Sequence, residues 1–155
     1  MRPMAQAVVR RTEPGDVERL LPLMVEYIVD FYRQPRPPDD DLRRLVDMCL
    51  KGEEGVQFVA ERDGELVGFA TLYFTWGTLA AAREAVMNDL YLAGSARGSG
   101  LAEELFRACA EESRRRGAPA MVWETAPDNF RAQRFYDKMG STREPWVTYS
   151  IETGA

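Results

Sequence analysis

Apolar residues along this chain recur at two different periods, and the places where the period switches mark its elements. Ala7-Val8-Val9-Arg10 reads as a short strand, and Asp16 then opens a helix in which Leu20, Leu21, Met24, Tyr27, Ile28 and Phe31 recur at helical spacing. That helix must stop near Pro35, in the stiff loop Gln34-Pro35-Arg36-Pro37-Pro38. A second helix follows through about Leu50, with Asp39-Asp40-Asp41 at its N-terminus, where carboxylates meet the positive end of the helix dipole. Val56 to Ala60 begin sheet structure, Asp63-Gly64 marks a hairpin turn, and the return strand runs from Leu66 to Phe74. A loop then leads to a strand at residues 84–92.

Beyond that strand the pattern alternates helix and strand. Leu101, Leu105, Ala108 and Cys109 share one helical face, and Arg114-Arg115-Arg116-Gly117 place cations and a glycine stop at the C-terminal end of that helix. Met121-Val122-Trp123-Glu124-Thr125 reads as a buried strand. Asp128-Asn129 caps a helix carrying Ala132, Phe135, Tyr136 and Met139, which Gly140 ends. Trp146 to Ile151 alternate and are expected to close the sheet. The order predicts a mixed α/β (α+β) fold without internal repeats.

The stretch Arg97-Gly98-Ser99-Gly100-Leu101-Ala102 lies between the strand at 84–92 and the helix after it. Glycines let backbone approach an anion closely, the first helical turn has N–H groups without internal partners, and the dipole adds about half a positive charge. An ordinary tight turn would look similar. A nucleoside-triphosphate loop needs Lys then Ser or Thr after its last glycine, and here Leu101-Ala102 stand instead. A dinucleotide fingerprint needs three glycines in a repeating strand–helix–strand pattern that the N-terminal half lacks. Coenzyme A is the remaining phosphate-bearing candidate.

With 155 residues and 45% hydrophobic content, the chain is expected to make one domain, 1–155. The segment Met1 to Gln6 is not an apolar signal, and no stretch approaches the roughly 18 apolar residues that span a bilayer, so a cytoplasmic protein is expected. A net charge of −5 argues against a nucleic-acid groove. Cys49 and Cys109 lie on separate predicted helices and read as reduced core thiols; with no His in the chain, no metal site is expected.

The order strand, Arg97-Gly98-Ser99-Gly100-Leu101-Ala102, helix, strand, then Asn129 with Ala132 and Phe135-Tyr136-Asp137-Lys138-Met139-Gly140, resembles the GNAT superfamily of acetyl-CoA-dependent N-acetyltransferases. Within it, Tyr73-Phe74-Thr75-Trp76, Asn88-Asp89-Leu90-Tyr91-Leu92 and the segment from Gly140 to Trp146 are similar to diamine (polyamine) acetyltransferases. The resemblance implies a central, mostly antiparallel sheet with a splayed parallel pair, flanked by about four helices. It also implies a homodimer. It places the backbone of Leu90, Tyr91 and Leu92 against the acetyl group and pantetheine of acetyl-CoA, residues 97–102 on the pyrophosphate, Asn129 and Ala132 on the pantetheine arm, and Tyr136 near the sulfur. Tyr27, Asp30, Trp123, Glu124, Glu144 and Trp146 become candidates for the acceptor pocket.

The residue types suit that chemistry. A protonated amine must lose a proton before it attacks a thioester, and without His the task falls to carboxylates, tyrosines or water. Tyr136 is the candidate proton donor to the departing thiolate, and Leu90 or Leu92 N–H the candidate donor to the developing oxyanion. Diamine acetyltransferases carry Glu-Asp where this chain has Asn88-Asp89. Asn88 is therefore expected to orient water or the acceptor, and strand alternation sends Asn88 and Asp89 to opposite faces. Glu124, a carboxylate inside an apolar strand, needs a partner, for which a substrate ammonium is one candidate. Expected acceptors are small primary amines: a polyamine, an amino acid or an amine-bearing antibiotic. A non-catalytic acyl-CoA-binding sensor is the alternative.

Overall fold

The chain was analysed as a computed structural model that describes residues 6–155, so Met1 to Ala5 of the segment read for a signal lie outside the described residues. Strand β1 (Ala7–Arg11) precedes helix α1 (Val17–Val25), a π-helical turn (Glu26–Phe31) and helix α2 (Asp39–Lys51). Strands β2 (Gly55–Arg62), β3 (Glu65–Gly77) and β4 (Ala82–Leu92) follow, then α3 (Leu101–Arg115), β5 (Met121–Val122) and α4 (Phe130–Lys138). The strands lie in sequence order, antiparallel from β1 to β4 and parallel between β4 and β5. By its internal packing the chain divides into two compact units, one ending at Glu124 and one comprising Thr125–Ala155.

Each element follows from its local chemistry. Asp63 and Gly64 have φ of 52° and 81°, the two positive values a two-residue hairpin of matching twist requires. The helix that begins after Asp16 does not run regularly to Phe31. After Val25 it widens by one residue per turn, so that the Tyr32 N–H donates to the Tyr27 carbonyl at 3.1 Å.

The sheet carries helices on both faces. Leu20, Met24, Leu42 and Val46 of α1 and α2 pack with Val59, Phe69 and Tyr91, a cross-strand row on one face. Helix α3 covers the other face at Gly68, where an added Cβ would stand 2.4 Å from Leu92 Cδ2 and 3.4 Å from Leu105 Cδ1. Glycine there lets Leu92 and Leu105 close over the sheet.

Two expected strands are corrected. The strand read at Met121–Thr125 pairs only at Met121 and Val122, and Trp146–Ile151 forms no strand. Residues 141–155 carry no regular structure, and Trp146, Val147, Tyr149 and Ile151 are exposed. Alternation records a capacity to pair; a ladder also needs a partner edge.

The start of α1 is pinned to β1 by a buried ion pair. Asp16, 2% exposed, accepts from Arg10 Nη1 at 2.7 Å and Nη2 at 3.0 Å and from the Glu13 N–H at 2.8 Å. The Arg10 hydrogen bond, foremost, holds the Asp16 carboxyl below its usual range. A depressed folded value contributes stability above the ordinary carboxylate range that is lost as pH falls through the folded value. Asp16→Ala, which removes the two-pronged partner of Arg10 and leaves the guanidinium with Glu61 at 3.0 Å, is expected to cost about 2 kcal/mol in urea unfolding at pH 7, with the difference from wild type shrinking toward pH 2.

Candidate functional site

Strand β4 contains an irregularity that organises the site. Its pairing with β3 runs Thr71↔Asp89 and then Leu72↔Met87, which leaves Asn88 as an extra residue, a β-bulge. The parity of the strand changes across it. The Ala85 N–H donates toward β5, to the Ala120 carbonyl, whereas the Ala93 N–H, eight residues on, donates toward β3, to the Val67 carbonyl. In a regular strand those two N–H groups would face the same edge. Counting back from Ala93, the Leu92 and Leu90 N–H groups face the β5 side. Pairing with β5 is confined to Ala85 and Val86, so this edge is open where these N–H groups point.

The bulge also turns side chains over. Asp89 lies beside Thr71 on the face of Val59, Phe69 and Tyr91, while Met87, beside Leu72, is on the opposite face. The expectation that Asn88 and Asp89 point to opposite faces is corrected by the same feature: Asn88 Nδ2 donates to Asp89 Oδ2 at 3.3 Å. Asn88 itself is exposed, and Asp89 is half-buried.

Burial pushes the Asp89 carboxyl up to about 7, while hydrogen bonding from Thr71 and Asn88 opposes the rise. Among the described residues, those contacts leave Oδ1, which has no exposed surface, without a hydrogen-bond partner. A half-buried carboxylate that titrates near neutrality suits proton exchange.

The glycine stretch lies between β4 and α3. Gly98 and Gly100 have φ of 77° and 85°, values an L side chain resists, and a Cβ on either would meet nothing within 4 Å. Gly100 is the N-cap of α3 and, having no side chain, offers none of the first-turn N–H groups of that helix a side-chain acceptor. Ser99 Oγ donates to the Ala96 carbonyl and accepts from the Leu101 N–H at 3.4 Å, which fixes the loop from within. The Arg97 guanidinium stands 5.9 Å from the Phe31 ring centroid.

Phe31 belongs to the π-helical turn, which carries acceptor candidates Tyr27 and Asp30. Tyr27 meets Phe69 and Tyr91 edge-on, at centroid separations of 5.6 Å and 5.5 Å. Burial, and then a hydrogen bond to Glu26, push the Tyr91 phenol up to about 12; the charge of Asp30 acts the same way. Tyr27, Asp30, Tyr91 and Arg97 thus belong to one aromatic and acidic cluster. Trp123 is elsewhere, edge-on to Phe106 of α3 at 5.2 Å. Glu124 lies beyond the end of β5 and is exposed, so the expected carboxylate inside an apolar strand is corrected.

In the second unit Asn129 Oδ1 caps α4 by accepting from the Ala132 N–H at 3.1 Å. Tyr136 is half-buried, its ring 5.4 Å from that of Phe135 and its carbonyl accepting from Ser141 Oγ at 2.6 Å. Glu144 and Trp146 are exposed in the irregular segment. Glu26, Phe31, Gln57 and Thr71 join the site's surroundings without having been read from sequence, and Asp89 takes a larger part than its position suggested. For Asp89 a signal existed: an acidic residue within Val86 to Leu92, a run otherwise suited to burial.

Residues 21–141 match the acetyltransferase (GNAT) family. An uncharacterized N-acetyltransferase of Bacillus subtilis, YhfO, is 29% identical over 151 residues, covering 95% of this chain and 98% of that protein. The D-amino-acid N-acetyltransferase HPA3 of Saccharomyces cerevisiae is 33% identical over 136 residues, covering 85% and 83% respectively. A solved structure described as a probable acetyltransferase aligns with a TM-score of 0.82 at 26% identity, over 96% of this chain and 99% of that one. An aminoglycoside N-acetyltransferase solved in complex with CoA reaches 0.85 at 18% identity over 99% of both chains, a likeness of fold. This chain belongs to the acetyltransferase (GNAT) family and is an N-acetyltransferase.

Proposed function

We propose that the protein transfers the acetyl group of acetyl-CoA to the primary amine of a small molecule, with Asp89 as general base and Tyr136 as proton donor. The observation that carries this reading is the bulge at Asn88, which opens the β4 edge at Leu90 and Leu92 and sets Asp89 beside it. The residues present fit the cosubstrate: the glycine turn, the uncapped start of α3 and Arg97 suit a pyrophosphate, and the open strand edge suits an extended amide-bearing arm. Bound acetyl-CoA supplies a thioester carbonyl for attack and a thiolate leaving group.

The chain's own residues supply the rest. The Asp89 carboxylate takes one proton of the incoming ammonium and passes it to solvent, and the second proton leaves the nitrogen to solvent as the amide forms. Asn88 Nδ2 keeps that carboxylate oriented. The Leu90 and Leu92 N–H groups offer donors to the acetyl oxygen as charge gathers there. The Tyr136 hydroxyl gives its proton to the departing sulfur and regains one from solvent. Tyr27 and Asp30, with Glu26, offer aromatic faces and negative charge to a cationic acceptor. Trp123, Glu124, Glu144 and Trp146 remain acceptor candidates.

A polyamine, an amino acid and an amine-bearing antibiotic are the acceptors considered; the yeast relative's name supports an amino acid. The family match spans both compact units, which supports a single domain. A cytoplasmic location is supported by two buried free cysteines, and among the described residues no helix is long and apolar enough to cross a membrane. A homodimer is supported by the exposed Trp146, Val147, Tyr149 and Ile151.

Thiol release from acetyl-CoA against a panel of D- and L-amino acids, polyamines and aminoglycosides tests the function. Amine-dependent release is expected; acetyl-CoA binding without release from any acceptor would favour the sensor. Asp89→Asn is expected to lower kcat/KM about a hundredfold at pH 8 and to remove an acid limb near pH 7. Because the folded Asp89 value is raised, the wild-type protein gains stability as pH falls from about 7 toward the ordinary carboxylate range, so the same variant should raise Tm more at pH 8 than at pH 5. Tyr136→Phe is expected to lower kcat about a hundredfold with acetyl-CoA affinity nearly unchanged by calorimetry. Gly100→Glu, which puts bulk and charge on a backbone with φ of 85°, should abolish acetyl-CoA binding in a protein that still melts cooperatively.

A further inference from the structure

Asp89 is the end of a polar row that crosses three strands inside the sheet. The pairings Gln57↔Thr71 and Thr71↔Asp89 set the three side chains side by side on the face covered by α1 and α2. Gln57 and Thr71 are 1% and 0% exposed, in a region where the neighbouring rows are apolar. Gln57 Nε2 donates to Thr71 Oγ1 at 3.1 Å, and among the described residues Gln57 Oε1 has no hydrogen-bond partner. An apolar pair would avoid that unsatisfied oxygen, so Gln57 and Thr71 are costly choices for a core.

The direction of the hydrogen bonds explains what the row does. A threonine hydroxyl has one proton to give, and because Thr71 Oγ1 already accepts from Gln57, that proton is left for the Asp89 carboxylate. The Thr71 backbone N–H adds to the hold. Donors to a carboxylate favour its ionised form, and chained donors strengthen one another.

We propose that Gln57 and Thr71 are positioning residues that hold the Asp89 carboxylate ionised and in place as the base. This rests on the assignment of Asp89 above. Other titratable groups whose charge couples to Asp89, from either face of the sheet, do not substitute for the row. Cys49 of α2, Cys109 of α3 and Tyr73 of β3 are all pushed up by burial, so each stays neutral through the range where Asp89 titrates. Among the described residues, no cation acts on the Asp89 carboxyl.

The test is the pH dependence of kcat/KM for Thr71→Val, Thr71→Ser, Gln57→Leu and Asp89→Asn, with acetyl-CoA and the best acceptor of the panel. Thr71→Val, which keeps the shape and loses the hydroxyl, is expected to move the acid limb up by about one pH unit. Its kcat/KM would fall about tenfold at pH 6 and stay within about twofold of wild type at pH 9. Thr71→Ser should restore the wild-type limb, and Gln57→Leu should shift it in the same direction by less. Carboxyl carbon NMR, with the Asp89 signal assigned by its loss in Asp89→Asn, should show the same shift without reference to turnover. An unmoved limb and carboxyl titration in Thr71→Val, with Asp89→Asn inactive, would overturn the positioning role while leaving Asp89 as base. If Asp89→Asn keeps both rate and limb, the base assignment fails and the positioning role falls with it.

Discussion

One extra residue in β4 governs the site. Without Asn88 as a bulge, the Leu90 and Leu92 N–H groups would point into the ladder with β3, and Asp89 would share a face with Met87. With it, the same seven residues from Val86 to Leu92 complete a buried core and present an open edge. The bulge is the point at which the sheet stops serving only stability. Its partner strand β5 pairs no further than Val86, so edge and bulge combine to leave backbone donors available beside a carboxylate.

That arrangement carries a cost which the fold meets elsewhere. A carboxylate pushed up to about 7 is unfavourable above that pH, and among the described residues Gln57 and Asp89 each leave an oxygen unpartnered. The compensation lies in the apolar packing of α1 and α2 against Val59, Phe69 and Tyr91, one row away on the same face. The buried Arg10–Asp16 pair ties β1 to the start of α1, and the Tyr91 phenol is anchored by Glu26 from the π-helical turn. Tyr91, which lies between the two open-edge donors with its own backbone turned to β3, is therefore held through its side chain, and the Arg97 guanidinium over Phe31 brings the glycine turn into contact with the same segment.

Legibility in the sequence followed the physics of each element. Helices and the first four strands were readable because period, caps and turns are local: Asp63-Gly64 and Asn129 each do in the structure what their chemistry suggested. The π-helical turn was not, because Tyr27, Ile28 and Phe31 fit a regular helix equally well. The bulge was not, because a one-residue insertion leaves no mark on a short strand's composition and depends on the register of its neighbour. The shortness of β5 and the missing strand at 146–151 reflect the availability of a partner edge. Gln57 and Thr71 looked like ordinary polar positions in strands; their meaning lies in cross-strand alignment with Asp89.

Amide hydrogen exchange with and without acetyl-CoA tests most directly whether the open β4 edge and the glycine turn form the cosubstrate site. Binding should slow exchange at Leu90 and Leu92 and at residues 97–102, with little change in β1 and β2. Acetyl-CoA binding that leaves those amides unprotected would place the cosubstrate elsewhere and contradict the assignment of the edge.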